Sequence, residues 1–431
     1  MRDVLVVQLA RFGDIVQMKR LVLSVAAEDG VRVHLLVGHD LAALARYLYP
    51  EVIVHTFPAH ATEGNDASAV AKVFTEAKLT LAELASMDFA TVYILNASPL
   101  ASALARMFSP ERVVGYASVD GQPVQSQWTR LAKRFTRHRA TSPLNLVDFW
   151  AYFHPDPIAP EKVNPIPRFA GAKKIGIVLA GQQARRSLPP EVLGPIVHAV
   201  WKAQDGPQLV LLGSNREKPL ARALLQALPA KCVEKTEILA GKTSLMDMPD
   251  IVRGLDTLLT PDTGLMHLAA HCGTPVQAFF LSSAWCFETG PYGFGHKVWQ
   301  AMASCAPCLE TAPCSQNVAC LNPFMDKNFL LYQSGQCSED WPGGLCGLVG
   351  VLDPLGGTCR LVDGKDPHEE ARAANRAFIG DYLGFGTSHL PAVTADMQYR
   401  ERDWMLDFAE KKTRNRLQAP VCTVFGAQSG E

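Results

Sequence analysis

The stretch PDTGLMHLAAHCGTP, residues 261–275, sets an acid, a hydroxyl, a glycine and a histidine directly after the apolar run at 258–260. If that run is a strand and a helix starts near Gly264, the first helical turn offers amide N–H groups and the positive end of its dipole. Phosphates bind at such ends. Asp262, Thr263, Gly264 and His267 are therefore candidates for a phosphate cradle. A plainer reading makes Asp262 or Thr263 a helix N-cap and His267 a packed core residue.

Five other groups have residue types that can do chemistry. LARFGD (9–14) follows an apolar run and lacks the G-x-G-x-x-G fingerprint of a dinucleotide loop. Its Gly13 and Asp14 can still face a cleft, with Asp14 as general base or as a helix cap. In LAGQQARRSLPPE (179–191), Arg185 and Arg186 can clamp phosphate charge or stay solvated. Glu217 in GSNREKP can accept from ribose hydroxyls or sit in a solvated turn. Cys305, Cys308, Cys314 and Cys320 form C-x2-C-x5-C-x5-C, a spacing open to a structural zinc, to unbound thiols or to a disulfide. In WTRLAKRFTRHR (128–139), Arg130, Lys133, Arg134 and Arg137 recur at helical spacing, with Trp128, Leu131 and Phe135 on another face. Such a helix can meet an anionic lipid surface or acceptor, or it can be a solvated face packed by its apolar side.

These residues need elements to hold them. Valine-rich runs at 4–9, 31–38, 91–95 and 112–116 read as strands, with helical periodicity at 15–27 and 41–50 between them. A proline-rich segment follows, and the pattern then restarts with strands at 173–181, 207–214, 258–260 and 276–281. Strand and helix alternating at this spacing predict parallel sheets with crossover helices, hence an α/β chain of two Rossmann-like domains. The expected boundaries are an N-terminal domain at 1–153, a linker at 154–170, a second domain at 171–301, an irregular Cys-rich insertion at 302–360 and a helical tail at 361–431.

Composition narrows the function classes. The 431 residues carry 41 basic and 42 acidic side chains, which argues against a dedicated nucleic-acid binder. The N-terminus lacks the pattern of a signal peptide, and no uncharged apolar run reaches the ~18 residues of a membrane helix. A cytoplasmic location is expected. Of 11 cysteines, most fall between 286 and 359, which in a reducing compartment reads as a metal site or thiols.

VLVVQLARFGDIVQ, KTSLMDMPDIVRGLDTLLTPDTGLMHLAAHCGTPVQAFF and GPYGFGHKVWQA together resemble the lipopolysaccharide heptosyltransferases, glycosyltransferase family 9, over roughly residues 1–320. The resemblance implies a GT-B fold, two Rossmann-like domains whose parallel sheets face an interdomain cleft. It implies inverting transfer of a sugar, heptose from ADP-heptose, onto a lipopolysaccharide-core or related glycan, with no metal or cofactor needed for transfer. Asp14 takes the position of the general base on the acceptor side. Asp262, Thr263, Gly264 and His267 take the donor-diphosphate positions, Glu217 the ribose position, and Gly13 is grouped with the donor-binding residues. Arg186 stands before Ser187, Leu188 and Pro189, where the family has a lysine before a W-P pair. The implied partners are the nucleotide-sugar and the glycan acceptor, without nucleic acid. Peripheral contact with the inner face of the cytoplasmic membrane is open to the basic helix. Two alternatives share the fold: a nucleotide-sugar epimerase, and an inactive nucleotide- or glycan-binding protein.

Overall fold

The computed structural model describes residues 1–59, 67–119, 122–181, 184–309, 312–336 and 340–385. Cys337, Cys422 and the helix expected beyond residue 390 lie outside the described residues, as does the side chain of Arg137. The chain divides into two compact units that are not unbroken stretches of sequence. Among the described residues the first takes Met1–Arg137 and Phe149–Ile158, the second His138–Asp148 and the stretch from Ala159 to Phe385.

The first unit holds β1 (Arg2–Gln8), β2 (Val31–Gly38), β3 (Ile53–Phe57), β4 (Phe89–Ile94), β5 (Val113–Val119) and β6 (Gln122–Gln125). They form one sheet in the order β3-β2-β1-β4-β5-β6. All pairings are parallel except β5 with β6. Leu5, Val7, Leu36, Val92 and Ile94 share one apolar cluster. The helix expected over 15–27 is two helices, Phe12–Gln17 and Lys19–Ala26, broken at Met18 where ψ rises to 1°.

The second unit holds β7 (Lys174–Val178), β8 (Gln208–Leu212), β9 (Thr236–Ile238), β10 (Thr257–Pro261), β11 (Val276–Phe280), β12 (Lys297–Ala301), β13 (Leu345–Asp353) and β14 (Gly356–Asp363). The order is β14-β13-β12-β11-β10-β7-β8-β9. Successive residues of its central strands serve opposite faces. Leu209, Leu211, Leu259 and Phe279 enter one core, whereas Val210, Leu212, Leu258 and Phe280 enter the other. This is why these strands read as unbroken apolar runs and not as alternating ones.

Residues 345–363, expected within an irregular insertion, form the antiparallel hairpin β13–β14 instead. Asp353 makes the turn: its Oδ1 accepts the amides of Leu355 at 2.9 Å and Gly356 at 3.0 Å. The high glycine content there serves close packing. A Cβ at Gly356 would fall 2.0 Å from the Asp148 carboxylate. The helix Glu369–Tyr382 follows.

Candidate functional site

In an open parallel sheet, ligands collect beyond the carboxyl ends of the strands where strand order reverses. In the second unit that point lies between β7 and β10, which pair in parallel register. The loop leaving β7 carries Gly181, Arg185 and Arg186; the loop leaving β10 carries Asp262 and Thr263. They approach closely. Gly181 N donates to Ser187 Oγ at 2.6 Å, and a Cβ at Gly181 would lie 3.3 Å from the Asp262 carbonyl oxygen.

Thr263, in extended conformation, caps the helix Gly264–Cys272, and its Oγ1 accepts from Met266 N at 3.3 Å. Asp262 is not the cap. It is buried, and its Oδ2 accepts from Arg186 Nη1 at 3.3 Å and Thr289 Oγ1 at 3.2 Å. The amides of Gly264 and Leu265 open the first turn, ahead of the intrahelical ladder. The helix ends at Gly273 with φ 76°, a left-handed C-cap that a side chain would strain.

His267 lies on this helix with Nε2 4.0 Å from Asp262 Oδ1. Burial pushes its pKa down to about 3, so the ring is neutral at neutral pH and offers a hydrogen bond, not a charge. Glu217 follows β8, where its carboxylate accepts from Ser214 N at 2.6 Å as half of a capping box. The sequence reading did not anticipate that use of the carboxylate.

Asp14 belongs to the corresponding place in the first unit, past β1 where the order reverses toward β4. Leu9 N donates to Asn96 Oδ1 at 2.6 Å, and Asn96 Nδ2 donates to Gln8 Oε1, joining the two strand ends. The turn is shorter than ARFGD suggests: Gly13 and Asp14 are already helical, and Arg11 occupies the N-cap. Asp14 Oδ2 accepts from Arg11 N at 3.0 Å. Burial raises its carboxyl above the usual range, against the lowering pull of that amide. The shift is in the direction that suits a general base.

The four cysteines come together. Cys305, Cys308, Cys314 and Cys320 line one small cavity with Arg185, Ser282 and Ser283. Arg185 Nη2 donates to Cys308 Sγ at 3.6 Å, and Val318 N donates to Cys314 Sγ at 3.2 Å. All four are thiols outside any disulfide. Among the described residues no three His, Cys, Asp or Glu side chains are arranged to hold a metal ion. Arg185, which donates to Cys308 Sγ, shares that cavity with the four thiols.

The basic helix Gln127–Arg137 buries Trp128, Leu131 and Phe135, and Trp128 Nε1 donates to Phe149 O at 2.8 Å. Arg130, Lys133 and Arg134 are only partly exposed, and Lys133 Nζ sits 4.4 Å from the Tyr116 ring centroid. No helix among the described residues is long and apolar enough to cross a membrane.

Sequence reasoning missed Ser187, Glu288 and Thr289. Glu288 Oε2 accepts from Arg139 Nε at 2.9 Å, and burial raises the Glu288 carboxyl. Its neighbour Thr289 reaches Asp262. The only local signal was the acid-hydroxyl pair ahead of GPYG.

Residues 196–318 match the model of glycosyltransferase family 9 (heptosyltransferase). The chain is 36% identical over 76 residues to lipooligosaccharide heptosyltransferase 2 of Haemophilus influenzae; the match covers 18% of this chain and 22% of that relative. Among solved structures, E. coli ADP-heptose lps heptosyltransferase II aligns with a TM-score of 0.50 at 16% identity, covering 78% of this chain and all of that one (100%). A family 9 glycosyl transferase from Veillonella parvula aligns at 0.51 and 15% identity, covering 78% and 96%. The two sheets and these neighbours define a chain of the GT-B fold class. Residues 196–318, which contain β8, the β10 loop and Cys305, Cys308 and Cys314, are thus similar to glycosyltransferase family 9.

Proposed function

We propose that the protein is an inverting, metal-independent glycosyltransferase that moves heptose from ADP-heptose onto a lipopolysaccharide-core or related glycan. The observation that carries this reading is the cradle at the β7–β10 switch point, where Arg186 bonds Asp262 beside Thr263 and the first amides of the Gly264 helix, the last three within the segment that matches the family 9 model. The donor and acceptor classes come from the names of the relatives.

In this mechanism Asp14 accepts the proton of an acceptor hydroxyl as its oxygen bonds to the anomeric carbon. The bond from that carbon to the diphosphate oxygen breaks on the opposite face, and ADP leaves with the electron pair. Arg186, the Thr263 hydroxyl and the helix amides stabilise the charge that develops on ADP. Asp262 holds Arg186 and Thr289 in place, and His267 packs beneath. Glu217 is assigned to the ribose through a lone pair not used by Ser214. Gly13 lets the backbone before Asp14 approach substrate. Arg130, Lys133 and Arg134, with Arg137, are assigned to phosphate on an anionic acceptor at the inner membrane face.

The test is to incubate the protein with ADP-heptose and truncated core acceptors and to follow ADP release with the mass gain of the acceptor. ADP release matched by one heptose per acceptor supports the reading. Isomerised donor without acceptor would instead place the protein among the epimerases.

A further inference from the structure

The stretch His138–Asp148 interrupts the sequence of the first unit but packs as part of the second unit. It is fastened by several independent bonds. Arg372 Nη1 donates to Ala140 O at 3.0 Å, Asn375 Nδ2 to Thr141 O at 3.0 Å, and Asn145 Nδ2 to Gly290 O at 3.2 Å. Asp148 accepts from Tyr292 Oη at 2.7 Å and from Gly357 N at 2.8 Å. A segment held this firmly delivers its side chains to a fixed place.

Arg139 is delivered to Glu288, the neighbour of Thr289, which bonds Asp262. Its Nε donates to Glu288 at 2.9 Å and its Nη1 to Cys308 O at 3.3 Å. Arg185 reaches the same cysteine through its Sγ. Glu288 precedes Thr289, which donates to Asp262, the partner of Arg186. Two ion pairs, Arg139–Glu288 and Arg186–Asp262, are thus joined through the neighbours Glu288 and Thr289, and Arg185 ends on Cys308 beside Arg139. Glu288 feels the negative charge of Asp262, and burial disfavours its own. The Arg139 side chain keeps 25% of its surface exposed, against 16% for Glu288. A guanidinium whose carboxylate partner is disfavoured as an anion by burial can exchange it for a phosphate oxygen.

We propose that Arg139 is a further ligand of the donor diphosphate, carried into the second unit's cradle by the 138–148 strap. This rests on the nucleotide-sugar reading of the same site. Glu288 holds the guanidinium when the site is empty, and the diphosphate competes for the same fork.

The test is calorimetric titration of ADP and AMP into wild type, Arg139→Gln and Glu288→Gln, each checked for an unchanged melting curve. Arg139→Gln should weaken ADP about tenfold, the size of one charge-assisted hydrogen bond, with AMP changed far less. Glu288→Gln should leave ADP affinity unchanged or raise it, because the competitor for Arg139 is gone. If Arg139→Gln weakens ADP and AMP alike, or has no effect, the inference is overturned. If Glu288→Gln loses as much ADP affinity as Arg139→Gln, the pair only shapes the loop and the inference is again overturned. Wild type that binds neither nucleotide would overturn the donor reading itself.

Discussion

A carboxylate beside the proposed diphosphate site needs a reason, and Asp262 has one in its partners. It is the acceptor that fixes Arg186 and Thr289, so its effect on an anionic ligand is opposite in sign to its own charge. Asp262→Ala should therefore weaken ADP binding about tenfold although a negative charge is removed, because Arg186 loses its anchor. Isothermal titration reads this directly, and tighter binding would show that repulsion dominates. At this scale the sequence was informative about residue types and less so about roles. Asp262, Thr263 and Arg186 were all legible from their positions after strands. Which of Asp262 and Thr263 capped the helix was not, because both side chains suit an N-cap and only the backbone conformation at Thr263 decides it. Glu288 and Arg139 were illegible because their meeting depends on a contact 149 residues apart in sequence.

At the scale of elements, periodicity carried the reading where strands are buried on both faces, as in β1, β2, β8 and β11. It missed the short strands β3, whose Ile53 is 41% exposed, β6, β9 and β12, and the β13–β14 hairpin, whose glycines and Pro354 suggest loops. That hairpin is held by Asp148, which is fully buried (0%) and bonded to Tyr292 and Gly357. Asp148→Ala should cost about 2–3 kcal/mol, the usual penalty for stranding buried partners of a charged group. Urea unfolding measures it, and a loss under about 0.5 kcal/mol, the range of a neutral surface change, would contradict this role. The C-cap offers a second test. A Cβ at Gly273 would combine a left-handed φ of 76° with a 2.9 Å approach to Pro165 Cγ. Gly273→Ala should lower stability by about 1–2 kcal/mol. An unchanged unfolding midpoint would show that the loop carrying Pro165 yields at no cost.

Across the whole chain, two sheets repeat one strand order, with β3-β2-β1-β4-β5 in the first and β9-β8-β7-β10-β11-β12 in the second. Each sets its chemistry-bearing loop at the reversal of order: Asp14 after β1 and the Asp262 cradle after β10. The buried histidines make global stability depend on pH. His267 and His296 are held down to about 3 and about 4 by burial, whereas an unfolded histidine ionises near 6.5. Below about 6.5 the unfolded chain takes up protons the native chain refuses, so stability is full above that pH and falls as pH drops toward 4. Each histidine contributes about 1.4 kcal/mol per pH unit in that window. Urea titrations between pH 7.5 and 5 should show the fall, and a flat profile would mean that one or both rings are protonated in the native state.

The central claim is that a base on the first sheet and a diphosphate cradle on the second serve one transfer reaction. It is tested most directly by Asp14→Asn, measured for both heptose transfer and ADP affinity. The account predicts transfer reduced at least about 100-fold, as expected for loss of a general base, with the ADP dissociation constant unchanged. Transfer near the wild-type rate in that variant would contradict it.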